Sequence, residues 1–345
     1  MHRLLCPIVA ATGLFAALVS GETWAAGLDP GVVEKAKKEG EVTFYTNLIV
    51  NQVVRPLVAA FEQKYGIRVN VSRADSQATV LKLINEARAG RNQVDIWNLS
   101  SGLKSLIEAG VIAQFNAPSA AEYPPNYRDA AGRWVATNVY VNTPGYNTNL
   151  VPPKDAPKTY EDLLAPKWKG KIAWKPNDVS GATGFIGNIL TSRGEEQGMA
   201  YLRALARQDV TTVEASARAI LDRVIAGDFA IALQIFNHHA VISANKGAPS
   251  AWIAMEPVTT SLQLAGITKD APHPNAALLF IEFMISQEGQ KIFQAAEYLP
   301  AHPKVPALTP ALKPDGGGFK ATILSPETID QGFDRWTQIF NQLFR

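Results

Sequence analysis

The sequence predicts an α/β protein of two domains with a cleft between them, and three observations carry that expectation. Its 345 residues exceed what one hydrophobic core holds, since single cores stop growing near ~250–300 residues. Apolar patterns of strand period and helix period alternate along both halves of the chain. Between the halves the texture changes: Pro118, Pro124, Pro125, Pro144, Pro152, Pro153, Pro157 and Pro166 punctuate residues 116–170 around an extended run from Trp134 to Val141. A chain crossing between domains has this texture.

Composition narrows the classes. With 47% hydrophobic and 19% charged residues the chain can bury cores, which excludes intrinsic disorder. The 33 basic and 31 acidic residues nearly cancel and form no long run of one sign, so a nucleic-acid partner is not expected.

The N-terminus opens Met1-His2-Arg3, continues apolar from Leu4 to Val19, and exits through Ser20-Gly21-Glu22-Thr23-Trp24-Ala25-Ala26. A basic start, a short apolar core and a small-residue exit are the parts of a secretory signal peptide. Cleavage is expected after Ala25, which places Thr23 and Ala25 at the two small-residue sites. The competing reading is a membrane anchor, but a span needs about 20 apolar residues and this core is shorter and interrupted. The one cysteine, Cys6, falls in this leader. The mature chain is therefore expected to lack disulfides, thiolate metal sites and cysteine nucleophiles, and to be soluble and exported.

Residues 41–46 alternate as a strand, and Val53, Val54, Leu57, Val58 and Phe61 then recur at helical spacing until Tyr65-Gly66. A strand at 67–71, a helix at 77–89 with Val80, Leu83, Ile84 and Ala87 on one face, a strand at 94–99 and a helix at 101–109 follow. This alternation predicts βα units around a largely parallel sheet. Beyond the proline-rich stretch, a strand at 171–174, helices at 182–191, 195–207 and 215–225, and a strand at 229–235 form a second set. Strands at 251–255 and 261–267, one long helix at 276–296 and a C-terminal helix at 327–344 complete the chain.

In open α/β sheets ligands sit beyond the carboxyl ends of the strands, where helix N-termini offer unpaired N–H groups. That rule selects Thr46-Asn47-Leu48, Arg73-Ala74-Asp75-Ser76, Asn98-Leu99-Ser100-Ser101-Gly102, Asp178 to Gly184, and Phe236-Asn237-His238-His239. In Ser180-Gly181-Ala182-Thr183, a hydroxyl followed by small residues lets backbone amides approach an anion. A plain Ser cap is the alternative and leaves the poor helix starters after it unexplained. Adjacent residues on a helix point ~100° apart, so His238 and His239 are not expected to share a ligand. One of them is an anion or metal donor, or the pair is capping or core.

Metal spacings such as H-E-x-x-H are absent. Ser101-Gly102-Leu103-Lys104 and Ser243-Ala244-Asn245-Lys246 fit S-x-x-K, but neither S-D-N nor K-T-G accompanies them. Gly181-Ala182-Thr183-Gly184 is neither a nucleophile elbow nor a Walker loop. No enzyme activity and no cofactor are expected.

The chain resembles the periplasmic solute-binding proteins of ABC importers, family 1, in the branch that includes ferric-iron binders. The resemblance rests on Glu41-Val42-Thr43-Phe44-Tyr45, Phe61-Glu62-Gln63-Lys64-Tyr65-Gly66-Ile67, Glu86-Ala87-Arg88-Ala89-Gly90 and Tyr146-Asn147-Thr148-Asn149-Leu150. It rests most on Thr159-Tyr160-Glu161-Asp162-Leu163-Leu164-Ala165-Pro166-Lys167-Trp168-Lys169-Gly170-Lys171-Ile172, with Ser286-Gln287-Glu288-Gly289-Gln290 later. It implies a type II fold of two α/β domains, with central mixed sheets flanked by helices and two extended crossings as a hinge near 139–143 and 255–260. The implied division is a leader at 1–25, domain I at 26–140 plus 259–300, and domain II at 141–258 plus 301–345.

By the same resemblance the iron-binding His falls near Asn47 to Ile49, the Glu at about Ser100, and the two Tyr at Asn237 and His238. Neutral Asn and Ser cannot offset a trivalent cation, whereas Ser180-Gly181-Ala182 matches the anion site. The implied ligand is a small anionic organic solute: an organophosphate, phosphonate or carboxylate. Ser180, Gly181, Ala182 and Thr183 would hold its anion, His238 and Arg73 would add charge, and Asn47, Ser100 and Asn237 would read its hydroxyls. Trp97 and Trp174 either wall the cleft or belong to the cores. The implied partners are an ABC permease and ATPase, with the protein monomeric in the periplasm. A ferric carrier using His238 and a synergistic anion, and a periplasmic enzyme on the same scaffold, are the rival classes.

Overall fold

A computed structural model describes residues 27–176 and 178–345, so the expected leader lies outside the described residues. The strands are β1 (Glu41–Thr46), β2 (Arg68–Arg73), β3 (Ile96–Leu99), β4 (Val135–Asn147), β5 (Ile172–Trp174), β6 (Thr211–Thr212), β7 (Ile231–Phe236), β8 (Ser250–Trp252), β9 (Val258–Ile267), β10 (Leu299–Pro300) and β11 (Ala321–Ile323). They form one continuous sheet in the order β2-β1-β3-β9-β4-β7-β5-β6.

The expected parallel pairing holds in both wings, where β1 joins β2 and β3, and β5 joins β6 and β7. The centre is antiparallel instead: β9 pairs with β3 and β4, and β4 with β7. A strand that carries the chain out of one unit lies beside the strand that brings it back, so the crossing strands run in opposite directions.

Two main cores flank this centre. Phe44, Phe61, Trp97, Phe280 and Phe283 belong to the first, and Trp168, Trp174, Phe185, Trp336 and Phe340 to the second. A smaller cluster around Ile220, Leu221, Val224 and Ile235 adds to the second unit. Along β4 the core changes from the first at Val141 to the second at Tyr146, and it changes back between Met255 and Val258. Both changes fall at the expected hinge segments. Trp97 and Trp174 are fully buried and therefore belong to the cores.

Three departures have local causes. The long helix expected at 276–296 is two helices, Pro274–Ile285 and Gln287–Ala295, separated by Ser286 in extended backbone. The Ser286 hydroxyl accepts from the Gly289 amide at 3.2 Å, capping the second helix. A Cβ at residue 289 would lie 2.1 Å from the Phe283 carbonyl oxygen, so only glycine allows the second helix to fold back this closely. The helix Pro30–Glu39 was not anticipated, because only Val33 and Ala36 on it are buried. Finally, Ala301, Ala307, Leu312 and Phe319, expected in domain II, pack into the first core, and the second core resumes only at Leu324. The chain thus makes a third passage at β11, which pairs with β9 in parallel.

The C-terminal helix Pro326–Leu343 brings Ile329, Asp330 and Phe333 against Gln77, Val80 and Lys104 of the first unit, around a cavity of about 350 Å³. Burial pushes the Asp330 carboxyl from 3.8 up to about 6, against the Lys104 amide and ammonium and with help from Glu327 and Glu108. The folded state therefore holds an extra proton between those two values, and the stability it brings is lost as pH rises through about 6. Asp330→Asn should raise the thermal midpoint at neutral pH, with the gain shrinking as pH falls toward 4. A differential scanning series across that range checks it; a gain independent of pH would contradict it.

Candidate ligand site

The floor of the site is the pairing of the two crossing strands. Asn138 faces Gln263, Tyr140 faces Ser261 and Asn142 faces Thr259. Directly opposed residues share a face and alternate residues repeat it, so these six polar side chains stand on one side of the sheet. Gln263 reaches out of this row: its Nε2 donates to Asn47 Oδ1 at 2.6 Å and to Asn98 Oδ1 at 2.8 Å. Asn142 Nδ2 donates to Ser261 Oγ at 3.2 Å. Asn138 Nδ2, Asn142 Oδ1, Thr259 Oγ1 and Gln263 Oε1 are buried without a partner among the described residues. A buried polar atom left unpaired costs about 1–3 kcal/mol, so such a row marks a place where polar partners belong.

One wall comes from the carboxyl ends of β1, β2 and β3. Asn47 Nδ2 donates to Ser76 Oγ at 2.9 Å and to Ser100 Oγ at 3.1 Å, and the two hydroxyls are 3.2 Å apart. Thr46 pairs with Arg73 across β1 and β2, so the exposed Arg73 stands at the same edge. Its guanidinium has no ion-pair partner among the described residues. The fold thus joins Asn47, Ser76 and Ser100 and places Arg73 at the same strand edge.

In the other unit the helix Ala182–Arg193 starts after β5. Three amides expected in the cradle have partners within the chain. Ser180 N donates to Asp178 Oδ1 at 3.0 Å, Gly181 N to Asp178 O at 2.9 Å and Ala182 N to Lys175 O at 2.8 Å. The amides of Ser180, Gly181 and Ala182 are taken up by the loop that precedes them. Close packing sets this geometry: a Cβ on Gly184 would lie 1.8 Å from the Val179 carbonyl oxygen. The Thr183 hydroxyl is fully buried and has no partner among the described residues. Asp178 also pairs with Lys175, Nζ to Oδ2 at 2.5 Å. The signal is local: Asp two residues ahead of Ser180 favours an Asx turn, and that turn carries the carboxylate onto the helix tip.

Asn237 and His238 are both buried, and the Asn237 Oδ1 has no partner among the described residues. Asn237 is fully buried and donates from Nδ2 to Leu312 O at 2.7 Å, so it reads no solute hydroxyl from that nitrogen. His238 is buried among Phe236, Tyr298 and His239, at ring-centroid distances of 5.7, 5.4 and 4.4 Å. Burial first, and the neighbouring His239 second, hold its pKa well below that of an ordinary imidazole. It is neutral near pH 7 and adds no positive charge.

Burial also raises both phenols at this place, Tyr140 well above the usual tyrosine value and Tyr298 to about 12. Arg73 opposes the rise at both, and Asp178 reinforces it at Tyr140. A cation from one unit and an anion from the other therefore act on the same hinge phenol. On one flank the units enclose a cavity of about 670 Å³, with Ile49, Asn51 and Gln52 on one side and Arg218, His239 and Lys246 on the other. Among the described residues no group of three His, Cys, Asp or Glu side chains can hold a metal ion.

Comparison with known proteins agrees with this architecture. A family model described as bacterial extracellular solute-binding protein matches residues 56–321. The chain is 24% identical over 249 residues to an Fe(3+)-binding periplasmic protein of Serratia marcescens, covering 70% of this chain and 73% of the relative. Iron-bound HitA from Pseudomonas aeruginosa superposes with a TM-score of 0.75 at 22% identity, covering 88% of this chain and 99% of that one. AfuA from Actinobacillus pleuropneumoniae, with fructose-6-phosphate bound, superposes with a TM-score of 0.74 at 20% identity, covering 88% and 98%. The match over most of the chain, on a sheet whose two wings meet at paired crossing strands, makes this chain a member of the bacterial extracellular solute-binding proteins with the type II two-domain fold.

Proposed function

We propose that the protein works in the periplasm, captures a small anionic organic solute between its two units, and delivers it to an ABC permease driven by its ATPase. The unpaired Arg73 guanidinium beside the neutral Asn47, Ser76 and Ser100 carries this reading. A planar guanidinium with free donors suits a carboxylate, phosphonate or phosphate group, and neutral amides and hydroxyls suit the hydroxyls of the same solute. The likeness to AfuA, whose structure holds fructose-6-phosphate, supports that class.

Closure follows from where the groups sit. Arg73, Asn47 and Ser100 belong to one unit and Thr183 to the other, so a solute touching both favours the closed arrangement by its differential contacts. The crossing strands β4 and β9 absorb the rotation. The protein binds as a monomer and leaves its solute chemically unchanged.

Isothermal calorimetry against organophosphates, phosphonates and small carboxylates is the test, with an iron titration followed by visible absorption beside it. Saturable heat from an anionic member, and no absorption band on adding Fe³⁺, are expected. Asn47, Ser76 and Ser100 are neutral and bring no anionic oxygen to offset the charge of Fe³⁺. Tight iron binding with no response to the organic anions would overturn the proposal in favour of a ferric carrier.

A further inference from the structure

We infer that Gln263, on the crossing strand β9, locks the Ser100 hydroxyl as a hydrogen-bond donor, so that the solute sets an acceptor oxygen of its anionic group against Ser100. This deepens the reading of an anionic solute, and its solute half rests on that reading. The lock starts at a main-chain carbonyl, which can only accept. Asn98 Nδ2 donates to Leu264 O at 3.1 Å, so Asn98 turns its Oδ1 the other way, where Thr46 Oγ1 lies at 3.0 Å and the Gln263 amide at 2.8 Å. Facing an acceptor, Gln263 presents its Nε2. The same Nε2 lies 2.6 Å from the Asn47 amide, which therefore shows it Oδ1 and turns Nδ2 toward Ser76 and Ser100.

Lone pairs then fix the serines, since each hydroxyl has two of them and a single hydrogen. Ser76 Oγ accepts from Asn47 Nδ2 at 2.9 Å and from the Ser100 main-chain amide at 3.4 Å, and both of these groups are donors only. Its hydrogen is left for Ser100 Oγ, 3.2 Å away. Ser100 Oγ accepts that bond and a second one from Asn47 Nδ2 at 3.1 Å, which uses both of its lone pairs as well. The Ser100 hydrogen has no acceptor among the described residues and is free to meet a solute oxygen.

Exposure agrees with this direction. Asn98 and Gln263 are fully buried and Ser76 nearly so, whereas Ser100 is partly exposed at the strand edge. Arg73 stands at the same edge, and a guanidinium likewise only donates. An edge made of donors suits the oxygens of a carboxylate, phosphonate or phosphate. The acceptors lie on the floor, where Asn142 Oδ1 and Gln263 Oε1 are buried without a partner among the described residues and suit the O–H groups of the same solute. The solute therefore lies with its anionic end on the edge of β1 and β3 and its hydroxyls toward the crossing strands.

Neutron diffraction from crystals of the parent protein grown in D₂O reads the hydrogens directly. The Asn47 Nδ2 deuterons should point at Ser76 and Ser100, the Ser76 deuteron at Ser100 Oγ, and the Ser100 deuteron away from both Ser76 and Asn47. A Ser100 deuteron directed at Ser76 Oγ or at Asn47 overturns the inference whatever the solute is. Calorimetry with gluconate, fructose 6-phosphate and aminoethylphosphonate, on the parent, Ser100→Ala, Gln263→Met and the double variant, reads the solute half. Ser100→Ala should weaken binding about tenfold. Gln263→Met should weaken it by a similar factor, because Asn47 is then free to turn, and adding it to Ser100→Ala should change the affinity by no more than about twofold. A packing role for Gln263 would instead give losses that multiply. That result, or an undiminished affinity in Ser100→Ala, overturns the inference while leaving the anionic-solute reading standing. Failure of every probe to bind the parent overturns that reading and the solute half with it, while the deuteron positions still decide the lock.

Discussion

Arg73→Met is expected to weaken binding of the anionic solute by roughly thirtyfold, about 2 kcal/mol, the typical worth of hydrogen bonds to a charged group. Arg73 is exposed, and no ion pair holds it among the described residues, so its loss should leave the thermal midpoint almost unchanged. That separation distinguishes a binding role from a structural one. Asn47 behaves differently: its amide bridges Ser76 and Ser100 and accepts from Gln263, so replacing it disturbs the wall as well as the solute. Salt gives a second readout. An exposed guanidinium is screened at high ionic strength, so the parent's affinity should fall between low and high salt while that of Arg73→Met stays nearly flat. Calorimetry at two salt concentrations measures both effects. Binding by Arg73→Met within about threefold of the parent would remove Arg73 from the site.

Local patterns carried most of the fold into the sequence. The alternation at 41–46 and the 3.6-residue repeat from Val53 to Phe61 name their elements because each buries one face against the same core. The strand-end rule likewise gathered Asn47, Arg73 and Ser100, since every parallel strand in one wing ends on the same edge. What stayed hidden depends on distant partners. The Asp178 bond to the Ser180 amide is the exception: it spans two residues, the Asx turn that Asp favours in loops, and was legible locally. The neutrality of His238 depends on Tyr298, sixty residues further along, arriving beside it to complete an aromatic enclosure. Residues 301–319 carry a proline-rich pattern with no strong periodicity, so which core receives Leu312 and Phe319 is decided only by the third passage at β11.

The largest stability effects are expected from Phe280→Ala in the first core and Trp174→Ala in the second, each costing about 3–5 kcal/mol. Phe280 is fully buried and meets Phe44 and Phe61 at centroid distances of 5.3 and 4.7 Å. Trp174 is equally buried and meets Phe185, Phe340 and Phe344 at 5.9, 5.8 and 4.6 Å. Each truncation leaves a cavity that rigid ring neighbours cannot collapse to fill, which places the cost toward the upper part of that range. The two effects bear on how the units cooperate. β4 supplies Val135 and Val141 to one core and Tyr146 to the other, and it pairs with β9 on one side and β7 on the other. Unfolding either unit strips partners from the strand on which the other is built. Calorimetry should therefore show one transition in the parent, and both substitutions should lower that same midpoint by roughly 5–15 °C. Two resolved transitions, with Phe280→Ala moving one and Trp174→Ala the other, would show that the hinge strands join the units mechanically without making them fold as one.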